Sequence, residues 1–127
     1  MQNIYLAATS FSPEVNFDFA NHYLALKGEC YPENAAVFFE PLMHALHGYL
    51  AQQSSSRIIV DVQLAYFNSA STKAILAIFE RLNAAAVAGN YVTVQWHSDP
   101  DDDTIMEFGQ EVADDNGALE VQLLELA

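Results

Sequence analysis

The sequence predicts an α/β fold, with short strands first and then helix and strand in alternation, the pattern of βαβ crossovers on a mostly parallel sheet. Three observations carry that prediction. Val15, Phe17 and Phe19 alternate with Asn16 and Asp18, the period of a half-buried strand. Ile58-Ile59-Val60-Asp61-Val62-Gln63-Leu64 is nearly all apolar at its start, as a strand inside a parallel sheet must be. Around that run, three stretches repeat apolar residues at helical spacing, which gives about three helices.

Taken in order, Ile4 to Ala7 and Glu14 to Phe19 read as short strands. Ala20-Asn21-His22 then turns the chain into a third, Tyr23 to Lys27, as a hairpin. Tyr31-Pro32-Glu33 supplies a first helical turn, where proline lacks only an N–H that has no partner there and an acid meets the positive end of the dipole. Phe38, Leu42, Ala45 and Tyr49 follow on one face. Phe39, Met43 and Leu50 form a second flank, read as broad burial or as a partner groove. Pro41 is expected to kink this helix or restart it.

After the Ile58–Leu64 strand, a second helix carries Ile75, Ile78, Phe79, Leu82 and Ala86 and stops at Gly89-Asn90. Tyr91 to His97 is the next strand. Asp99 as cap, Pro100 at the first helical position and the acids Asp101, Asp102 and Asp103 open a third helix through Ile105, Phe108 and Val112. Asn116-Gly117 turns it into a last strand, Leu119 to Leu124. No linker, low-complexity tract or internal repeat interrupts the chain, so residues 1–127 are expected to form a single domain.

At 127 residues, 52% of them hydrophobic, the chain is long enough to bury a core without metal or disulfide staples. Seventeen acidic residues against four basic give a formal charge of −13. That balance argues against nucleic acid, which needs clustered Lys and Arg, and against anionic membrane surfaces. It suits solubility, or a protein partner with a basic patch. Cys30 is the only cysteine, so no intrachain disulfide forms, and a reducing compartment is expected. The N-terminus lacks a basic signal region, and no apolar run reaches membrane-spanning length; the expectation is a cytoplasmic protein.

The most informative stretch runs from Leu64 to Lys73, where a strand turns through small hydroxyl residues into a helix. A hydroxyl on such a turn lies beside the free N–H groups of a helix N-terminus, which favour a phosphate. It is therefore either a cap, with Asn68 or Ser69 accepting from the first turn, or the acceptor of a regulatory phosphorylation. The helical wheel points Ser71 inward with Ile75, Ile78 and Leu82, and sets Thr72 at the edge of that face. Ser69 precedes the first turn and is the hydroxyl a kinase reaches. Its phosphate would add about −1.5 to −2 charge and act on whatever docks at this edge rather than on the fold.

Other clusters carry less. His97 with Asp99 to Asp103 has ligand chemistry, but the acids already make a helix-start signature. His44 and His47, three apart, project beside Glu40 on a solvated face, and Trp96 suits packing at a sheet end. With no nucleophile motif, phosphate-binding glycine loop or paired-cysteine motif, neither an enzyme nor a cofactor or metal is expected.

Ser12-Pro13-Glu14-Val15, Tyr31-Pro32-Glu33-Asn34, Tyr66-Phe67-Asn68-Ser69-Ala70-Ser71 with Lys73, and Trp96-His97-x-Asp99 together resemble the SiaC family of biofilm-regulating phosphoproteins, over nearly the whole chain. The resemblance implies a STAS-like fold, that of anti-sigma-factor antagonists. It also implies partner switching: a Ser/Thr protein kinase and a PP2C-type phosphatase set the phosphorylation state, and the unphosphorylated form binds and activates a diguanylate cyclase, raising cyclic di-GMP. The family acceptor follows the Asn at the strand-to-helix turn, which maps onto Ser69, with Asn68, Ala70, Ser71, Thr72 and Lys73 forming the binding edge. An anti-sigma-factor antagonist is an alternative, although such proteins usually carry Asp before the acceptor and Ser-Gly after it, where this chain has Asn68, Ala70 and Ser71. A small hydrolase using a metal at His97 and Asp99 to Asp103 is another.

Overall fold

The computed structural model describes residues 2–126. Six strands form one sheet in the order β1 (Ile4–Leu6), β2 (Glu14–Asp18), β3 (Tyr23–Cys30), β4 (Arg57–Phe67), β5 (Tyr91–Ser98) and β6 (Glu120–Glu125). The first two pairings are antiparallel and the last three parallel. Helices α1 (Ala35–Ala51), α2 (Ser69–Val87) and α3 (Asp103–Asp115) make the three crossovers. Each crossover joins neighbouring strands and the sheet advances in one direction, so right-handed connections set all three helices on one face. The α/β class and the central place of β4 are as the sequence predicts.

Side chains sort accordingly. Ile58, Val60, Val62 and Leu64 of β4, with Val92, Val94 and Trp96 of β5, meet Leu42, Leu46, Ile75, Phe79, Leu82 and Val112 in one core. Burying each such side chain stabilises the fold by roughly 1.5–3 kcal/mol before entropy is counted. The β2–β3 hairpin turns through a 3₁₀ turn at Phe19–Asn21, with His22 in the left-handed region at φ 54°.

Several expectations need correction. Asn34, not the Pro32-Glu33 turn, opens α1: its side chain accepts from the Val37 N–H at 3.1 Å. The helix runs through Pro41 without restarting. Pro41 and Val37 are both exposed, so water can serve the carbonyl that proline leaves free. The buried stripe of α1 is Ala35, Phe39, Leu42, Leu46 and Tyr49, so Phe39 belongs to the core, while Met43 and Leu50 pack on its margin and Leu50 also lines a shallow hollow with His47 and Arg81.

α3 begins later than the acids suggest. Asp102 is its cap, accepting from the Ile105 N–H at 3.1 Å, while Asp99 holds the preceding turn by accepting from the Asp101 N–H at 2.9 Å. Trp96 lies at the centre of the core, not at a sheet end: it is fully buried, and its indole N–H donates to the Ile105 carbonyl at 2.9 Å. Gly109 makes room for that ring.

Candidate functional site

Two strands run further than the periodicity indicates, and this builds the rim that carries the site. β3 continues to Cys30 and β4 to Phe67. The β3–β4 register skips at Gly28 and Glu29, which pair with Leu64 and Tyr66, so Ala65 is an extra residue in β4. Such a bulge flips the alternation. Tyr66 then stands out, half exposed, while Phe67 turns inward against Phe108.

At the end of β4, Asn68 is held three ways. Its N–H donates to the Cys30 carbonyl at 3.2 Å, its carbonyl accepts from the Thr72 N–H at 3.0 Å, and its side chain accepts from the Ser71 N–H at 2.9 Å. Asn68, not Ser69, is therefore the cap of α2. Ser69, the first helical residue, is exposed, and its hydroxyl makes no hydrogen bond within the described residues.

Its neighbours differ. Ala70 is exposed. Ser71 is fully buried, as the helical wheel predicts, and its hydroxyl faces the Cys30 thiol without a conventional partner. Burial pushes that thiol up, and the Ser71 hydroxyl works against the rise. Thr72 donates its hydroxyl to the Asn68 carbonyl at 3.0 Å, so it is tied to the cap. Lys73 is exposed, one helical turn from Ser69 and on its side of α2.

An aromatic pair missed by sequence reasoning flanks this turn. Tyr31 and Tyr66 meet edge to face with ring centroids 5.5 Å apart, and both are exposed. Tyr31 is fixed by donating its N–H to the Phe11 carbonyl at 2.7 Å and its hydroxyl to the Ser10 carbonyl at 2.8 Å. The signal was present as two tyrosines each next to a strand end, but only the β3–β4 register shows that they touch.

The face of the sheet away from the helices holds a second cluster. Asp61, 8% exposed, accepts from the Tyr23 hydroxyl at 2.8 Å, with Lys27 Nζ at 3.6 Å and His97 Nε2 at 3.1 Å. Burial and the Asp61 hydrogen bond push Tyr23 up to about 12, which keeps it a donor. The sequence signal was an acid inside an apolar strand, yet its partners lie 34 to 38 residues away. His97 thus meets Asp61 rather than completing a centre with Asp99 to Asp103. Among the described residues no group of three or more His, Cys, Asp or Glu could hold a metal ion. His47 accepts at Nδ1 from Arg81 at 2.9 Å on the exposed side of α1.

No helix of the described chain is long and apolar enough to cross a membrane. The chain is 27% identical over 115 residues to an uncharacterized protein of Pseudomonas aeruginosa (strain UCBPP-PA14), covering 91% of this chain and 90% of the relative. The solved structure of SiaC of Pseudomonas aeruginosa superposes with a TM-score of 0.89 at 25% identity, over 99% of this chain and all of that one. A structure of the diguanylate cyclase SiaD in complex with its activator SiaC, from the same organism, gives 0.89 at 24% identity, over 97% and 99% of the two chains, a likeness of fold. Residues 6–126 match the SiaC family regulatory phosphoprotein as a whole, and the chain belongs to that family.

Proposed function

We propose that this chain is a non-catalytic, phosphorylation-controlled adaptor, which binds and activates a diguanylate cyclase when Ser69 is free and releases it when Ser69 carries phosphate. The observation that carries this reading is the division of labour at the turn. Asn68 caps α2, so the Ser69 hydroxyl has no structural duty and stands open to a kinase. The activator role borne by the SiaC of the SiaD complex supplies the partner class.

A Ser/Thr kinase adds the phosphate and a PP2C-type phosphatase removes it. Asn68, Ala70, Thr72 and Lys73 shape the contact edge around Ser69, while buried Ser71 supports it from below. Phosphate on the first helical residue meets free N–H groups and the positive end of the dipole, so the domain keeps its fold. The effect falls on the docking surface, through charge and bulk beside Tyr31 and Tyr66.

The test begins with phosphosite mapping by tandem mass spectrometry on protein from native cells, with and without phosphatase. Calorimetry then measures the diguanylate cyclase of the same cell against unphosphorylated chain and against chain carrying phosphoserine at 69. Phosphate at Ser69 and at least ten-fold weaker binding are expected. Equal affinity for both forms defeats the switch.

A further inference from the structure

A groove separates the end of β4 from the loop that leads into α3, and it owes its existence to unequal strand pairing. β4 pairs with β3 as far as Phe67, but with β5 only as far as Val62 opposite Trp96. β5 itself ends at Ser98, so from Leu64 to Phe67 the side of β4 that faces β5 has no ladder partner. The β4–β5 ladder does not reach those four residues, and no loop backbone hydrogen bond joins them to the β5 side among the described residues. A strand advances about 3.3 Å per residue, so the free edge is roughly 13 Å long. Native proteins usually cover, charge or twist such an edge because it is a template for another strand.

The wall opposite this edge is acidic. Asp99, Asp101, Asp102 and Asp103 line the groove with Thr104 and Leu126, in a cavity of about 660 Å³ against Leu64 and Ala65. A second hollow, of about 270 Å³, continues it along Tyr66 and Phe67 to Ile105. No Lys or Arg lines either hollow. The β4 side is thus apolar and aromatic, from Leu64 to Phe67, and the opposite bank carries four carboxylates.

We propose that this strip is a docking site for an extended, Lys- or Arg-bearing segment of a protein partner, which adds as a short strand to β4 between Leu64 and Phe67. Main-chain hydrogen bonds to the free edge supply the attachment, and alternate basic side chains of the segment meet the acidic bank. A second copy of this chain fits poorly, since at −13 it would bring further negative charge to the carboxylates. Ser69 lines neither hollow, so this site stands apart from the phosphorylation reading.

The probe is a labelled peptide of alternating valine and lysine, compared with the valine–glutamate version and with a valine–lysine version interrupted by a central proline. Proline removes an N–H and cannot continue a ladder. Amide shifts in the folded protein are expected to concentrate at residues 64–67 and at Thr104 and Ile105. The proline and glutamate peptides should each bind at least ten-fold more weakly, and Ala65→Trp, which fills the groove, should lower affinity by a similar factor while keeping a dispersed amide spectrum.

The same titration on protein phosphorylated at Ser69 should change affinity less than three-fold, so failure of the strip and failure of the switch remain distinguishable. Equal binding of the proline peptide, shifts confined to Asp99–Asp103, or self-association through residues 64–67 overturns the proposal.

Discussion

Replacing Asn68 and Ser69 separately by alanine tests the assignment on which the functional reading stands. The Asn68 side chain accepts from the Ser71 N–H at 2.9 Å, and Ser71 is fully buried, so water has poor access to that donor once the cap is gone. Losing a cap costs about 0.5–2 kcal/mol, and the burial here puts Asn68→Ala in the upper half, about 1–2 kcal/mol. For a chain of this length that is a fall of roughly 4 °C or more in the unfolding midpoint. Ser69 is exposed and its hydroxyl has no partner among the described residues, so Ser69→Ala should stay within about 0.5 kcal/mol of wild type. Urea unfolding followed by circular dichroism measures both. Equal destabilisation by the two changes would show that the Ser69 hydroxyl serves the fold, and the argument that it is free for a kinase would collapse.

Gly109 faces the Trp96 indole so closely that a Cβ there would lie 2.5 Å from Cδ1 and 2.6 Å from Nε1. The ring is fully buried and tethered to Ile105, so Gly109→Ala should cost about 1–3 kcal/mol even though alanine favours helix by about 1. Fluorescence of this single tryptophan during denaturation reads the effect, and unchanged stability would mean the ring can shift. Tyr23 and Tyr49 are both pushed up from the ordinary phenol value of 10.0 to about 12, mainly by burial. The unfolded chain loses these protons first, so stability is full below about pH 10 and falls as pH rises from there towards 12. Tyr23→Phe should remove part of that alkaline loss; an unaltered alkaline profile would contradict the burial of this hydroxyl.

Local pattern carried most of the fold. β4 and α2 were legible because apolar residues in each fall at the period of the element. What the sequence could not show depends on contacts across the sheet. The bulge at Ala65 extends β4 past Leu64 and turns Tyr66 outward, but a bulge leaves no mark in periodicity, since it is defined by the register of β3. Asn68 and Ser69 are both good caps by residue type, and Asp99 and Asp102 likewise. Which one caps depends on where the preceding strand or turn releases the chain. The inward place of Ser71 was legible, because it follows from the helical wheel alone. Asp61 with Tyr23, Lys27 and His97 was not, because those four residues come from three strands.

Charge at the rim would give the proposed Ser69 switch a specific counter-ion. Of the four cationic side chains, Lys27 lies 3.6 Å from Asp61, Arg57 stacks over Tyr91 at 5.1 Å from its centroid, and Arg81 donates to His47. Lys73 has neither an ion pair nor a hydrogen bond among the described residues, and it sits one turn from Ser69. Phosphate at Ser69 therefore has Lys73 within reach, and an exposed pair of this spacing is worth about 0.3–0.5 kcal/mol. That is too little to reshape α2, but it withdraws from the docking edge its one uncommitted cation while adding about two negative charges. Lys73→Ala should then weaken binding of the unphosphorylated chain to its cyclase about three-fold or more. Phosphorylation should also lower the affinity of Lys73→Ala by a smaller factor than that of wild type, because part of the effect has already been removed. Calorimetry on the four combinations measures the coupling. Identical factors in the two backgrounds would place Lys73 outside the switch and leave the bulk and charge of the phosphate as its whole action.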